Sequence, residues 1–206
     1  MKIGKRDEII AAAEKRFIKH GYGKTTLNEI ARDLRMGKAS LYHYFDTKDA
    51  LYYATVSKQV TDYLNSLREL LNSSEKSAYE TIVTFFKMKY SFRESYNLLH
   101  QILINYFTDS LTSQEENVIK SFFHLELELI QLFLGSVIKD EYHFEGGITA
   151  DIVCMIGNQL VFGNKLLSHL LPEKMQETEE IMFSRLLAVV FQKSNGKSDK
   201  DLLLGL

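Results

Sequence analysis

The sequence predicts an all-α protein of about nine helices, and three observations carry that prediction. Its 206 residues include one Pro, no Trp and only 11 Gly, most of them at apparent helix ends, and few breakers in a long chain favour helices. Apolar residues recur at three- and four-residue spacing in segment after segment. Alternating β-branched runs flanked by turn pairs, the mark of sheets, are hard to find. Hydrophobic residues make up 45% of the chain, enough to bury a core.

The first helix runs from about Arg6 to His20, with Ile9, Ile10, Ala13 and Phe17 on one face. Lys15, Arg16 and Lys19 lie toward its end, where cations suit the helix dipole, and Gly21 stops it. The second starts at Thr26, which with Glu29 makes a capping box; Leu27, Ile30, Ala31 and Leu34 form its buried stripe. After a turn at Arg35-Met36-Gly37, Lys38 to Phe45 makes the third, with Leu41 and Phe45 inward. Asp46 or Thr47 caps a long fourth helix to about Leu71.

Beyond Asn72-Ser73-Ser74, a helix from Ser77 to about Phe92 opens with a second box, Ser77 to Glu80, and another runs from Tyr96 to Tyr106. Ser113 with Glu116 opens a long helix to about Ile138. Lys139 to Gly147 reads as a loop, Thr149 to Leu171 as a strongly apolar helix, and Pro172 sits in the first turn of a last helix to about Gln192. The tail from Lys193 is polar until Leu202 to Leu206. No internal repeat or low-complexity tract interrupts this series.

Bulk properties narrow the function classes. The single Cys154 allows no disulfide within one chain, which fits a reducing compartment. No 18-residue uncharged apolar stretch is present, so no membrane span is expected. The N-terminus lacks a signal-peptide apolar core, and the expected location is cytoplasmic. Charge is uneven: residues 1–55 hold 11 Lys/Arg against 7 Asp/Glu, +4, and the remainder 14 against 20, −6. A basic N-terminal module on an acidic body fits a protein that meets phosphates at one end.

Thr25 to Leu51 reads as two short helices joined by a tight turn, with a further helix starting straight after, and with the first helix of the chain it makes a helix-turn-helix. Lys38, Ala39 and Ser40 open the third helix, from which they reach base edges; Ser40 suits several bases and Ala39 fits a thymine methyl. Tyr42 and Tyr44 place hydroxyls on phosphates, and His43 suits either role. Thr26, at a helix start, and Lys48, in the first turn of the fourth helix, are expected phosphate contacts. The bland reading is a helix-turn-helix packed in an all-helical protein that meets no DNA.

The elements FIKHGYGKTTLNEIA and KASLYHYFDTKDAL resemble the N-terminal domain of the tetracycline-repressor (TetR) family of bacterial transcriptional regulators. LYHYF followed by a Thr-Lys-acid-x-Leu helix start is the most specific part, and the resemblance covers about the first 50 residues. Family members usually carry Gly where Arg35 stands and often Ser where Gly37 stands, so the turn is expected to differ in detail. The resemblance implies a helix-turn-helix domain at 1–50 and a helical effector-binding and dimerisation domain at 51–206.

A single helix-turn-helix makes few contacts, so a two-fold dimer on a palindromic double-stranded operator is expected. The segment 149–171 is apolar nearly all round (Ile152, Val153, Ile156, Leu160, Val161, Leu166, Leu167) and needs burial on every side. With the last helix it is the expected homodimer interface, about 149–192, as the resemblance also implies. Residues 77–138 are rich in aromatics, with His100, Gln101, Asn105 and His124 among them, and Asn158 and Gln159 lie further on. That is the composition of a small-molecule site. The resemblance implies an apolar effector there, but no shared motif assigns contacts, and for any one residue core packing with solvated polar groups is the favoured reading.

His124 and Glu128 are i, i+4, but two ligands do not make a zinc site. No metal, cofactor or catalytic residues are expected, and Cys154 reads as a small buried hydrophobe. The resulting expectation is a ligand-responsive repressor, not an enzyme. The alternatives are a DNA-binding dimer without an effector, and a helical enzyme or carrier.

Overall fold

The computed structural model describes residues 4–106, 111–137 and 150–159, apart from the Tyr79 side chain. Among these, eight helices and a further helical segment at 150–159 account for the ordered elements. They are α1 (Lys5–His20), α2 (Leu27–Asp33), α3 (Lys38–Tyr44), α4 (Lys48–Leu71), α5 (Ala78–Tyr90), α6 (Phe92–Ser95), α7 (Asn97–Asn105) and α8 (Ser113–Val137). The fold is all-α. The expected loop at 139–147, the last helix, most of the 149–192 interface and the Leu202–Leu206 tail lie outside the described residues.

Local chemistry sets most helix starts. Thr26 and Glu29 form the expected box before α2, and Ser77 and Glu80 form one before α5. Thr47, not Asp46, caps α4, accepting the Ala50 N–H at 3.0 Å. α1 ends where Gly21 adopts φ 81°, a conformation that favours glycine, and its N–H closes on the Phe17 carbonyl at 2.8 Å.

Three expectations need correction. The box that opens α8 is Thr112 with Glu115, one residue earlier than Ser113 with Glu116: the Thr112 N–H donates to Glu115 Oε2 at 2.8 Å, and the Glu115 N–H donates to Thr112 Oγ1 at 3.2 Å. Both pairs have the right spacing, and a tertiary contact distinguishes them, because Thr112 Oγ1 also lies 2.9 Å from the Tyr53 hydroxyl on α4. Glu116 instead pairs with Lys120 at 2.6 Å. Second, the helix expected through Phe92 stops at Tyr90. Ser91 bonds back to the Lys87 carbonyl, and Phe92 starts the one-turn α6. Phe92 is drawn inward among Tyr63, Tyr96 and Phe122, with ring centroids 5.2, 5.2 and 5.9 Å away. Third, Leu34 is only half-buried, because α2 ends before it.

Among the described residues, α4 packs against helices on both sides of it in the chain. Its first half packs Leu51, Tyr52 and Val56 against the N-terminal helices, and its second half carries the buried Tyr63, Leu64 and Leu67. It contacts α1, α5, α7 and α8. The apolar core is continuous from Ile9 to Cys154, so α4 is a packed strut between the two regions. No described helix is long and apolar enough to cross a membrane.

Candidate nucleic-acid interface

The turn between α2 and α3 is built by hydrogen bonds that the sequence conceals. The Met36 N–H reaches back to the Ala31 carbonyl at 2.9 Å, and the Arg35 N–H to the Arg32 carbonyl at 3.0 Å. This pair of bonds is a Schellman motif, which requires a left-handed residue between helix end and exit. Arg35 takes that role at φ 51°. It is the sole non-glycine with positive φ among the described residues, so the turn keeps the geometry that a glycine favours. Arg35→Gly is therefore expected to raise stability by about 0.5–1 kcal/mol, read from a denaturant midpoint. A lower midpoint would mean that the Arg35 side chain contributes more than its backbone costs.

Gly37 is the N-cap of α3 and offers no side-chain bond. Leu41 and Phe45 anchor α3, both buried. Lys38, Ala39, Ser40, Tyr42, His43 and Tyr44 are all exposed. The helix thus divides as expected, with two apolar anchors inside and a small-polar start followed by aromatics outside. The Lys38 ammonium lies over the Tyr42 ring at 5.5 Å, and His43 and Tyr44 meet edge to face at 5.6 Å. These contacts order long side chains on the outer face. The Arg6 guanidinium covers Phe45 from behind at 4.9 Å.

Thr26 and Lys48 are already engaged within the protein. The Thr26 N–H and hydroxyl both donate to Glu29 Oε2, at 2.9 and 2.8 Å. Those bonds hold the Glu29 carboxyl below its ordinary range. Lys48 Nζ donates to the Tyr22 carbonyl at 3.0 Å and sits 4.0 Å above the Tyr22 ring.

Tyr22 is a residue the sequence reading missed. Its hydroxyl donates to Asp49, and that bond, aided by partial burial, pushes the phenol up to about 12. Tyr22 also packs on Phe17 and Tyr52, at 6.1 and 4.9 Å. It ties the loop before α2 to the start of α4, and its one sequence signal was an aromatic between two glycines. Arg16 was missed too. It bonds Asp33 at 2.7 Å and Glu29 at 3.3 Å, locking α1 to α2 and lowering the Asp33 carboxyl.

Among the polar residues of the expected effector region, Gln101, His124 and Gln159 are exposed, while His100 is buried and Asn105 half-buried. Glu128 is exposed as well. Among the described residues no group of three or more His, Cys, Asp or Glu side chains is placed to hold a metal. Asn158 does meet a buried cation, accepting from Lys89 Nζ at 2.8 Å. Cys154 is buried beside this cluster, and burial pushes its thiol up to about 12, away from thiolate reactivity.

A helix-turn-helix with an outward third helix, carried on a helical body by a shared strut, defines the class of protein. Residues 9–55 match the domain described as bacterial regulatory proteins, tetR family. The chain is 33% identical over 101 residues to the biofilm operon icaADBC HTH-type negative transcriptional regulator IcaR of Staphylococcus aureus. That match covers 48% of this chain and 54% of the relative. It is 28% identical over 82 residues to the HTH-type transcriptional repressor NemR of Escherichia coli, covering 40% of this chain and 41% of NemR. The chain therefore spans about half the length, or less, of these relatives. A TetR transcriptional regulator from Legionella pneumophila superposes with a TM-score of 0.65 at 24% identity, over 90% of this chain and 99% of that one. Reduced NemR superposes with a TM-score of 0.69 at 18% identity, over 91% and 95%. The two superpositions extend the fold likeness into the body.

Proposed function

We propose that this protein is a homodimeric, ligand-responsive transcriptional regulator that represses from a palindromic operator and releases it when a small apolar effector binds the body. The observation that carries the reading is the exposed face of α3, Lys38 to Tyr44, held outward by the buried Leu41 and Phe45. Both named relatives are negative regulators or repressors, which supports the sign. In this reading residues 1–50 form the DNA-binding domain and 51–206 the effector-binding and dimerisation domain, with 149–192 at the dimer interface. The location that fits is the cytoplasm.

The chemistry assigns the roles. Lys38, Ala39 and Ser40 face base edges, while Tyr42, His43 and Tyr44 reach phosphates. Lys48 donates to the backbone with the N–H groups it does not give to Tyr22. A phosphate at α2 has to take over the donors that Thr26 now gives to Glu29. The dimer places its two α3 helices about 34–36 Å apart, one DNA turn, or a multiple of that. An effector in the body favours a different separation, transmitted by α4.

Selection of bound sequences from random DNA, followed by mobility-shift titration, tests this. Lys48→Ala is expected to weaken binding to every sequence and to reduce the salt slope by about 1, the share of a single phosphate. Ser40→Ala is expected to change sequence preference more than overall affinity. Equal loss on all sequences would remove Ser40 from base reading, and failure of the native protein to enrich any sequence would overturn the proposal.

A further inference from the structure

Gln59 lies at the middle of α4, 2% exposed, and both ends of its amide are used. Its Nε2 donates to Glu14 Oε1 on α1 at 2.7 Å. Its Oε1 accepts the backbone N–H of Leu99 on α7 at 3.0 Å. The amide orientation follows from the partners, since a carboxylate only accepts and a backbone N–H only donates. α1 belongs to the DNA-binding module, and α7 belongs to the body. The N-cap of α7, Tyr96, makes no side-chain cap bond. Leu99 is the third residue of that helix, so its N–H is one of the first-turn donors that a helix cannot satisfy internally. The cap for α7 thus comes from α4, and the same side chain holds α1.

We propose that Gln59 is the positioning residue through which the body sets the pose of the DNA-binding module. The proposal rests on the DNA-binding reading above and adds the specific link. A buried leucine would fill similar space and bury more apolar area, but it would tolerate sliding of α7 against α1. Two directional bonds at hydrogen-bond distance do not. A shift of α7 by an ångström or so leaves either the Leu99 N–H or the Gln59 amide unsatisfied in a buried place. Rearrangement at the start of α7 therefore reaches α1 directly, in addition to any tilt of α4.

The test exchanges donor and acceptor. Gln59→Glu keeps an acceptor for Leu99 but sets a carboxylate against Glu14. Glu14→Gln alone keeps an acceptor for Gln59. The double variant, Glu14→Gln with Gln59→Glu, restores both bonds, because the amide now on α1 donates to the carboxylate now on α4. For each, operator affinity is measured on the sequence the native protein selects, together with the melting temperature and the exchange rate of the Leu99 amide with and without operator. Gln59→Glu is expected to lose about 5- to 150-fold in operator affinity while folded. Glu14→Gln stays near native, and the double variant recovers. Operator DNA slows Leu99 exchange in the native and double forms and not in Gln59→Glu. Native-like operator affinity in Gln59→Glu would overturn the link, as would a loss that the double variant does not reverse, or Leu99 exchange indifferent to DNA. If the native protein selects no DNA at all, the parent reading falls first and is recognised as such.

Discussion

Glu126→Ala is expected to cost about 3–5 kcal/mol. Glu126 on α8 is 1% exposed and Lys89 on α5 is 0% exposed, and they pair at 2.5 Å. The Tyr63 hydroxyl on α4 donates to the same carboxylate, and Asn158 accepts from the Lys89 ammonium. Four rings surround that ammonium: Tyr63 at 5.1 Å, Phe122 at 5.3 Å, Phe92 at 5.5 Å and Phe85 at 5.7 Å. Removing the carboxylate leaves a buried cation with ring faces and one amide oxygen as its described partners, and deprives the Tyr63 hydroxyl of its acceptor. Burial, with the Glu126 charge and hydrogen bond, holds the Tyr63 phenol protonated well above its ordinary range. The hydroxyl is therefore a permanent donor in need of an acceptor. The second arm is Glu126→Leu with Lys89→Met, which removes both charges. It is expected to recover most of the loss, because an apolar pair of similar volume avoids desolvating two ions. Urea unfolding of native, single and double forms provides the comparison. A single variant within about 1 kcal/mol of native would show that water reaches the ammonium.

Leu41→Ala is the second large effect, expected to cost about 2–5 kcal/mol. Leu41 is fully buried and is the one buried residue within α3. α3 has only seven residues and two apolar anchors, Leu41 within it and Phe45 at its C-cap, so the loss falls on the orientation of the face proposed to meet DNA. Operator affinity is expected to fall by at least about tenfold, roughly 1.4 kcal/mol, while the body retains its helical signal. Tyr42→Phe changes the outer face alone and should leave the melting temperature near native. Full operator affinity in Leu41→Ala, with the stability loss present, would mean that DNA refolds α3 on its own surface.

Both predictions show where sequence reading succeeds and where it stops. The division of α3 was legible because a helix places i and i+4 on one face: Leu41 and Phe45 had to be inside, so Ala39, Ser40 and His43 had to be outside. The boxes at Thr26–Glu29 and Ser77–Glu80 were legible because they close within four residues. Thr112–Glu115 and Ser113–Glu116 satisfy that same local rule, and the Tyr53 hydroxyl, 59 positions away, favours the first. Arg35 shows a different limit. Its side chain predicts no left-handed backbone, yet the α2 exit and the packing of Met36 against the core require one.

Sequence by itself determined the helical class, the helix-turn-helix and the two faces of α3, because each follows from interactions spanning one or two helical turns. Tertiary structure alone decided which polar groups become partners. Gln59 reaches Glu14 and Leu99 across 45 and 40 positions, and Lys89 reaches Asn158 across 69. Such pairs leave no periodic trace, since their spacing depends on how whole helices pack, and burial then gives a single hydrogen bond its directional control over the neighbouring elements.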